Sequence, residues 1–162
     1  MARILTVESD HRLQRTIGRA LHLHGHEVHQ AGHRSAALRV AAERRFDVAM
    51  VSSALDGTAL LQKMRALQPS CMRILISNPT APAAAAVNRG EISDVLPRPF
   101  TVGTMLSVID STLQTRQRMM EVARVQQAAA RGEELRMLNE CLRGEHIQVA
   151  LQPILRLSLI HI

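Results

Sequence analysis

Four short clusters in this 162-residue chain combine residues that could do chemistry together: Glu8-Ser9-Asp10, Ser52-Ser53, Ser77-Asn78 and Pro97-Arg98-Pro99. Each closes or follows an apolar run. Glu8 and Asp10 offer carboxylate oxygens to a hard cation or to an arginine, and Arg98 is a fixed cation with a planar fork of donors. Magnesium demands rigid octahedral coordination by oxygen ligands. Glu8, with Asp10 as a weak second candidate, is a sparse donor set, so the sequence argues against a bound Mg²⁺ and implies no cofactor. A serine hydroxyl attacks a phosphoryl or acyl group only with a general base beside it, and no histidine follows Ser52 or Ser53.

Two further groups invite a metal reading and do not support it. His22, His24, His26, His29 and His33 straddle a helix end, a loop and a strand, so their side chains point in different directions and are expected to face solvent. Cys71 and Cys141 are too far apart for a metal knuckle and too few for a disulfide framework, and are expected to be reduced thiols.

The elements that must position the four clusters follow from periodicity. Arg3–Val7, Glu27–Ala31, Phe46–Val51, Arg73–Ser77 and Ile92–Leu96 read as strands. Between them lie helical patterns: Arg12–His24 stopped by Gly25, a helix capped by Ser35 and running to about Arg44, Thr58–Leu67 after the Asp56-Gly57 turn, and Ala81–Arg89 closed by Gly90. A fifth helix starts near Thr101. Strands that are apolar almost throughout are covered on both faces, which predicts an α/β fold with a doubly wound, five-stranded parallel sheet and a long C-terminal helix. In such a sheet ligands bind at the carboxyl ends of the strands, where all four clusters fall.

Charge and composition exclude several classes. The net charge is +6, and every basic side chain except Lys63 is arginine. The arginines are scattered, Trp and Tyr are absent and Phe occurs twice, so nothing provides a stacking platform for single-stranded nucleic acid. No apolar stretch approaches the roughly 20 residues of a membrane span, and no apolar signal region follows Met1, so a cytoplasmic protein is expected.

With these residues in place, the chain resembles the response-regulator receiver family, with its CheY-like, flavodoxin-type fold, over about residues 2–118. Ile4-Leu5-Thr6-Val7-Glu8-Ser9-Asp10 looks like that family's first strand and acidic cluster, and Val95-Leu96-Pro97-Arg98-Pro99-Phe100 like its fifth-strand signature. The resemblance implies two metal-binding acids, an aspartate phosphoacceptor, a hydroxyl and a lysine. The matching positions here hold Glu8, Ser9, Ser52, Ser77 and Arg98, so three of the five have changed chemistry. Val95 stands where the family has a mobile aromatic, and the loop from Ser52 to Asp56-Gly57 is shorter than in the family. An Arg98–Glu8 ion pair would replace, without phosphate, the contact that the lysine makes. The expectation is a degenerate phosphorylation pocket, with a receiver phosphorylated at a displaced residue such as Asp56 as the alternative; Asp56 otherwise reads as a turn residue or a helix cap.

From Thr101 the helical pattern continues far beyond a terminal receiver helix, and 119–143 reads as a linker or signalling helix that pairs with its copy in a homodimer, though its apolar positions hold no strict heptad. The passage from Glu133 through Gly144 to Gln152-Pro153-Ile154 resembles the opening of EAL domains, the cyclic-di-GMP phosphodiesterases, with Leu151 in place of a tyrosine. Residues 144–162 are therefore expected to be the truncated start of such a domain, its catalytic acids beyond residue 162 and its end, Leu157–Ile162, non-native. The resulting expectation is a non-catalytic regulatory and dimerisation module of a cyclic-di-GMP phosphodiesterase in two-component signalling. A stand-alone protein-interaction module is the remaining alternative.

Overall fold

A computed structural model describes residues 1–78 and 81–142. The chain divides into two units, residues 1–120 and 121–162. The first holds five strands, β1 (Arg3–Val7), β2 (Glu27–Ala31), β3 (Val48–Ser52), β4 (Met72–Ser77) and β5 (Asp94–Pro97). Four helices lie between them: α1 (His11–Leu23), α2 (Arg34–Glu43), α3 (Gly57–Leu67) and α4 (Ala81–Asn88). The last helix, α5, is Val102–Leu142. The strands form one parallel sheet in the order β2-β1-β3-β4-β5.

Period-two alternation along the strands sorts the core into two layers. Leu5, Val7, Ala49, Val51 and Leu75 point to one face, where they meet Ala37 and Ala41 of α2, Leu60, Leu61 and Met64 of α3, and Ala83 and Ala86 of α4. Ile4, Val48, Met50, Ile74, Ile76 and Leu96 point to the other, against Ile17, Ala20 and Leu21 of α1 and Met105 and Ile109 of α5. Each fully buried Leu, Ile or Met contributes about 1.5–3 kcal/mol relative to exposure. A doubly wound sheet is what this two-faced burial requires.

Several local expectations need correction. The cap of α2 is His33, whose imidazole accepts the Ala36 N–H at 3.2 Å; Ser35 sits inside the first turn, where its hydroxyl approaches the His33 ring instead. The third strand starts at Val48 because Asp47 turns its carboxylate to the Arg3 N–H, at 2.7 Å, and to Arg116, at 3.0 Å. The fifth starts at Asp94, while Ile92 is buried as an anchor in the preceding loop. Of the histidines, His22, His24 and His33 are exposed, but His29 is half-buried, meets the Phe46 ring edge-on at 5.4 Å and pairs with Glu27 at 3.1 Å, and His26 is half-buried. Burial pushes the Cys71 thiol up to about 12, so it is an inert core group.

The described residues of the second unit, 121–142, are all helical, and the side chains of 121–140 are all exposed. They include Val122, Val125, Leu135, Met137 and Leu138. No helix among the described residues is long and apolar enough to cross a membrane. The strand expected over 148–155, with all of 144–162, lies outside the described residues.

Candidate functional site

Parallel pairing fixes where the four clusters go. The register Val7↔Val51 and Val51↔Leu75 aligns the carboxyl ends of β1, β3 and β4, and Ser77↔Pro97 adds β5. Glu8, Ser52, Ser77 and Arg98 therefore leave the sheet along one edge. Burial then separates those that face inward from those that do not. Glu8 is 2% exposed and Ser52 is fully buried, whereas Ser9 and Asp10 are exposed.

Arg98 connects the inward-facing pair. Its Nη2 donates to Glu8 Oε2 and, at 3.1 Å, to Ser52 Oγ. A charge-assisted bond of this kind stabilises a carboxylate that burial would otherwise penalise. The other Glu8 oxygen, Oε1, accepts the Asp10 N–H at 3.2 Å. Ser52 Oγ also accepts the Ala54 N–H at 3.4 Å, so the hydroxyl is held as an acceptor. The structure thus brings together Glu8, Ser52 and Arg98.

The remaining three expected residues are employed elsewhere. Asp10 caps α1: its Oδ1 accepts the N–H groups of Arg12 at 2.8 Å and Leu13 at 3.2 Å, and these two donors hold its carboxyl below the ordinary range. Ser9 faces solvent. Ser77 Oγ donates to its neighbour Asn78 O at 2.9 Å and touches neither Arg98 nor Glu8. A magnesium ion does not fit this donor set, because one Glu8 oxygen is neutralised by an arginine, the other is bound to an amide, and Asp10 is committed to its helix. Among the described residues no cluster of three His, Cys, Asp or Glu side chains has metal-ligating geometry.

The loop after β3 is short and closely packed. A single turn of 3₁₀ helix, Ser53–Leu55, leads to Asp56 in the left-handed region at φ 53°, and α3 begins at the next residue. A Cβ on Gly57 would lie 2.7 Å from Ser52 O and 2.7 Å from Leu75 Cδ1, so the close approach of α3 to the strand end needs glycine. Asp56 occupies the cap position of α3 without bonding its N–H groups; its carboxylate instead pairs with Arg34 at 2.9 Å. Sequence reasoning missed Arg34. Nothing in its type or spacing marks it, since Arg34 opens α2 and Asp56 immediately precedes α3, two positions that no strand register aligns. Beside Arg98 a cavity of about 420 Å³ opens, lined by Leu13, Asn78, Arg98, Pro99 and Phe100.

The arrangement holds an arginine, a carboxylate and a hydroxyl in mutual contact. Among the described residues it contains no buried carboxylate free to attack a donor and no base beside a serine. Val95, on β5, is half-buried against the α2, α3 and α4 layer.

No protein-family model and no curated protein sequence matches the chain. Solved structures do. It is similar to a chain described as adenylate cyclase from Rhodopirellula baltica, at 24% identity over 78% of this chain and 97% of that one, with a TM-score of 0.72. A CheY-like response regulator receiver domain protein from Methanospirillum hungatei matches at 21% identity, over 74% of this chain and 98% of the other, with a TM-score of 0.69. The signal receiver domain of an HD domain-containing protein from Pseudomonas fluorescens matches at 26% identity, over 74% and 92%, with a TM-score of 0.67. Residues 1–120 carry the fold of the CheY-like response-regulator receiver domains.

Proposed function

We propose that the first unit is a receiver-like regulatory module that does not use phosphate as its signal. The observation that supports this is Arg98, which bonds Glu8 and Ser52 with a single terminal nitrogen. An active receiver needs carboxylates open to a cation and an aspartate nucleophile. Here the buried acid is neutralised from within the chain, and the acceptor position is a hydroxyl held by an arginine and an amide. The alternative acceptor, Asp56, is tied to Arg34, which argues against phosphorylation at a displaced residue.

Such a module works by contact. The helix over 121–140 presents Val122, Val125, Leu135, Met137 and Leu138 to solvent, and a second copy of the same helix is the partner that would cover them. In this reading residues 119–143 are the relay, and the resemblance of 133–154 to the opening of an EAL domain makes a cyclic-di-GMP phosphodiesterase the output. The chain itself then acts as a non-catalytic input and dimerisation unit.

Two measurements test this. Incubation with acetyl phosphate and Mg²⁺ followed by intact mass spectrometry is expected to show no phosphoryl adduct; an adduct on Ser52, Ser53 or Asp56 would return the protein to the phosphorelay class. Light scattering of the full chain is expected to show a concentration-dependent dimer, lost when Val125 and Leu135 are both replaced by Glu. A monomer at all concentrations would remove the dimer from the account.

A further inference from the structure

The amino-terminal end of the sheet holds a second arginine with a different set of partners. Arg73, the second residue of β4, is 9% exposed, so most of the side chain is removed from water. Its guanidinium donates to three backbone carbonyls: Nε to Glu91 O at 2.9 Å, Nη1 to Cys71 O at 2.9 Å and Nη2 to Gly90 O at 3.4 Å. Among the described residues no carboxylate lies within ion-pair distance of it. A buried cation without a counter-ion is costly, and neutral carbonyls offset that cost only in part.

The donor inventory shows what is left over. A guanidinium has five N–H groups. Three are used, which leaves one N–H on Nη1 and one on Nη2 for an anionic acceptor. Arg73 also lines a cavity of about 280 Å³ whose other walls include Met72, Val87, Ile92, Thr115 and Met119. The cavity is thus apolar on most sides, with one buried cation. Thr115 Oγ1 donates its hydrogen to Ser111 O, and the thiol of Cys71, which also borders the cavity, stays neutral. The Ser93 hydroxyl, which also lines the cavity, accepts the Arg73 backbone N–H at 2.9 Å, and among the described residues no anionic side chain borders the cavity.

The geometry points to a ligand site at this end of the sheet, formed by β4, α4 and α5, for a small carboxylic acid with a short apolar chain: the carboxylate on the two remaining N–H groups of Arg73, the chain against Val87, Ile92 and Met119. A free carboxylate of this class supplies the missing counter-charge and fills the apolar walls. An isosteric amide or alcohol fills the walls without the charge. The site lies at the opposite end of the strands from Arg98, so its failure would leave the reading of that pocket untouched.

The test is calorimetric titration of the full chain with hexanoate and, separately, with hexanamide, together with the guanidinium ¹⁵N resonances of Arg73. Hexanoate is expected to bind at least about tenfold more tightly than hexanamide and to shift the Arg73 resonances, because only the acid makes the charge-assisted pair. Because Arg73→Lys risks the fold by abandoning three carbonyls, the control variant is Val87→Phe, which fills the cavity and leaves those bonds alone. It is expected to abolish hexanoate binding while the chain stays folded. Equal binding of acid and amide, no binding of either, or full hexanoate binding in Val87→Phe would each overturn the assignment.

Discussion

Two arginines at opposite ends of the same sheet show how differently one side chain can be accommodated. Arg98 follows β5 and is paired to a buried carboxylate; Arg73 is the second residue of β4 and its guanidinium is bound only to carbonyls. At the carboxyl end, the charge of Glu8 is cancelled inside the chain, and the groups that a receiver would offer to phosphate are occupied. At the amino end, a positive charge is buried and its counter-charge is missing. On the reading proposed above, the place where the fold ordinarily receives a signal is closed, and an arginine without a counter-ion among the described residues sits at the other end.

The strongest way to break this comparison is to remove Arg73. Arg73→Met leaves the buried carbonyl of Cys71 and the part-buried carbonyls of Gly90 and Glu91 without this donor and opens a gap in the packing, and a loss of about 3 kcal/mol is expected in urea unfolding. A loss under about 1 kcal/mol would mean that the carbonyls find water and that Arg73 is not structurally committed. Arg98→Met is expected to cost less, about 2 kcal/mol, because the Arg98 side chain is 33% exposed and water can reach the stranded Glu8 carboxylate. The two arginines then separate by rescue. Adding Glu8→Gln to Arg98→Met should recover about 1 kcal/mol, as removal of both partners of a pair does, and the same substitution should leave the cost of Arg73→Met unchanged.

Gly57→Ala sharpens the carboxyl-end half of the contrast. Its Cβ would meet the Ser52 carbonyl, which is backbone and cannot rotate away, so a cost of about 1–2 kcal/mol is expected in the same assay. Stability unchanged in Gly57→Ala would show that the loop after β3 is looser than its packing indicates.

How much of this was legible in the sequence depended on whether a residue's position was set by the strand register. Glu8, Ser52 and Arg98 follow strands whose apolar runs identify them, and parallel pairing then puts the three side by side. Arg34, the first residue of α2, meets Asp56 just before α3, and no strand register aligns those two positions. The α2 cap went to His33 rather than Ser35 because an imidazole nitrogen can accept an amide hydrogen as a hydroxyl does, an option that composition does not reveal. Phe46 has the residue type of a strand start, yet it is buried outside β3: its N–H bonds the Gln68 side chain at 2.8 Å, and Asp47 breaks the run. Arg73 reads in sequence as an ordinary strand residue, since carbonyl partners leave no mark on side-chain spacing.

The smallest expected effect is a pH dependence at the same amino end of the sheet. His26, just before β2, is half-buried with Nδ1 unpartnered among the described residues, and burial first, then the charge of the amino terminus, holds its pKa below the ordinary value. The unfolded chain therefore binds the proton more readily than the folded one. Stability should fall as pH drops through the ordinary histidine value, about 6.5. His26→Leu is expected to flatten that fall slightly in thermal melts between pH 5 and pH 8, and an unchanged profile would place the acid sensitivity in other groups.

The account rests most heavily on Arg98 keeping the receiver pocket closed. The most direct test follows the backbone amides of Glu8, Ser52 and Ala54 by NMR while Mg²⁺ and then beryllofluoride, a phosphoryl mimic, are added to the full chain. The expected result is that none of the three moves. Saturable shifts at these amides, with release of the Arg98 guanidinium from Glu8, would contradict the account and mark a receiver that still answers to phosphate.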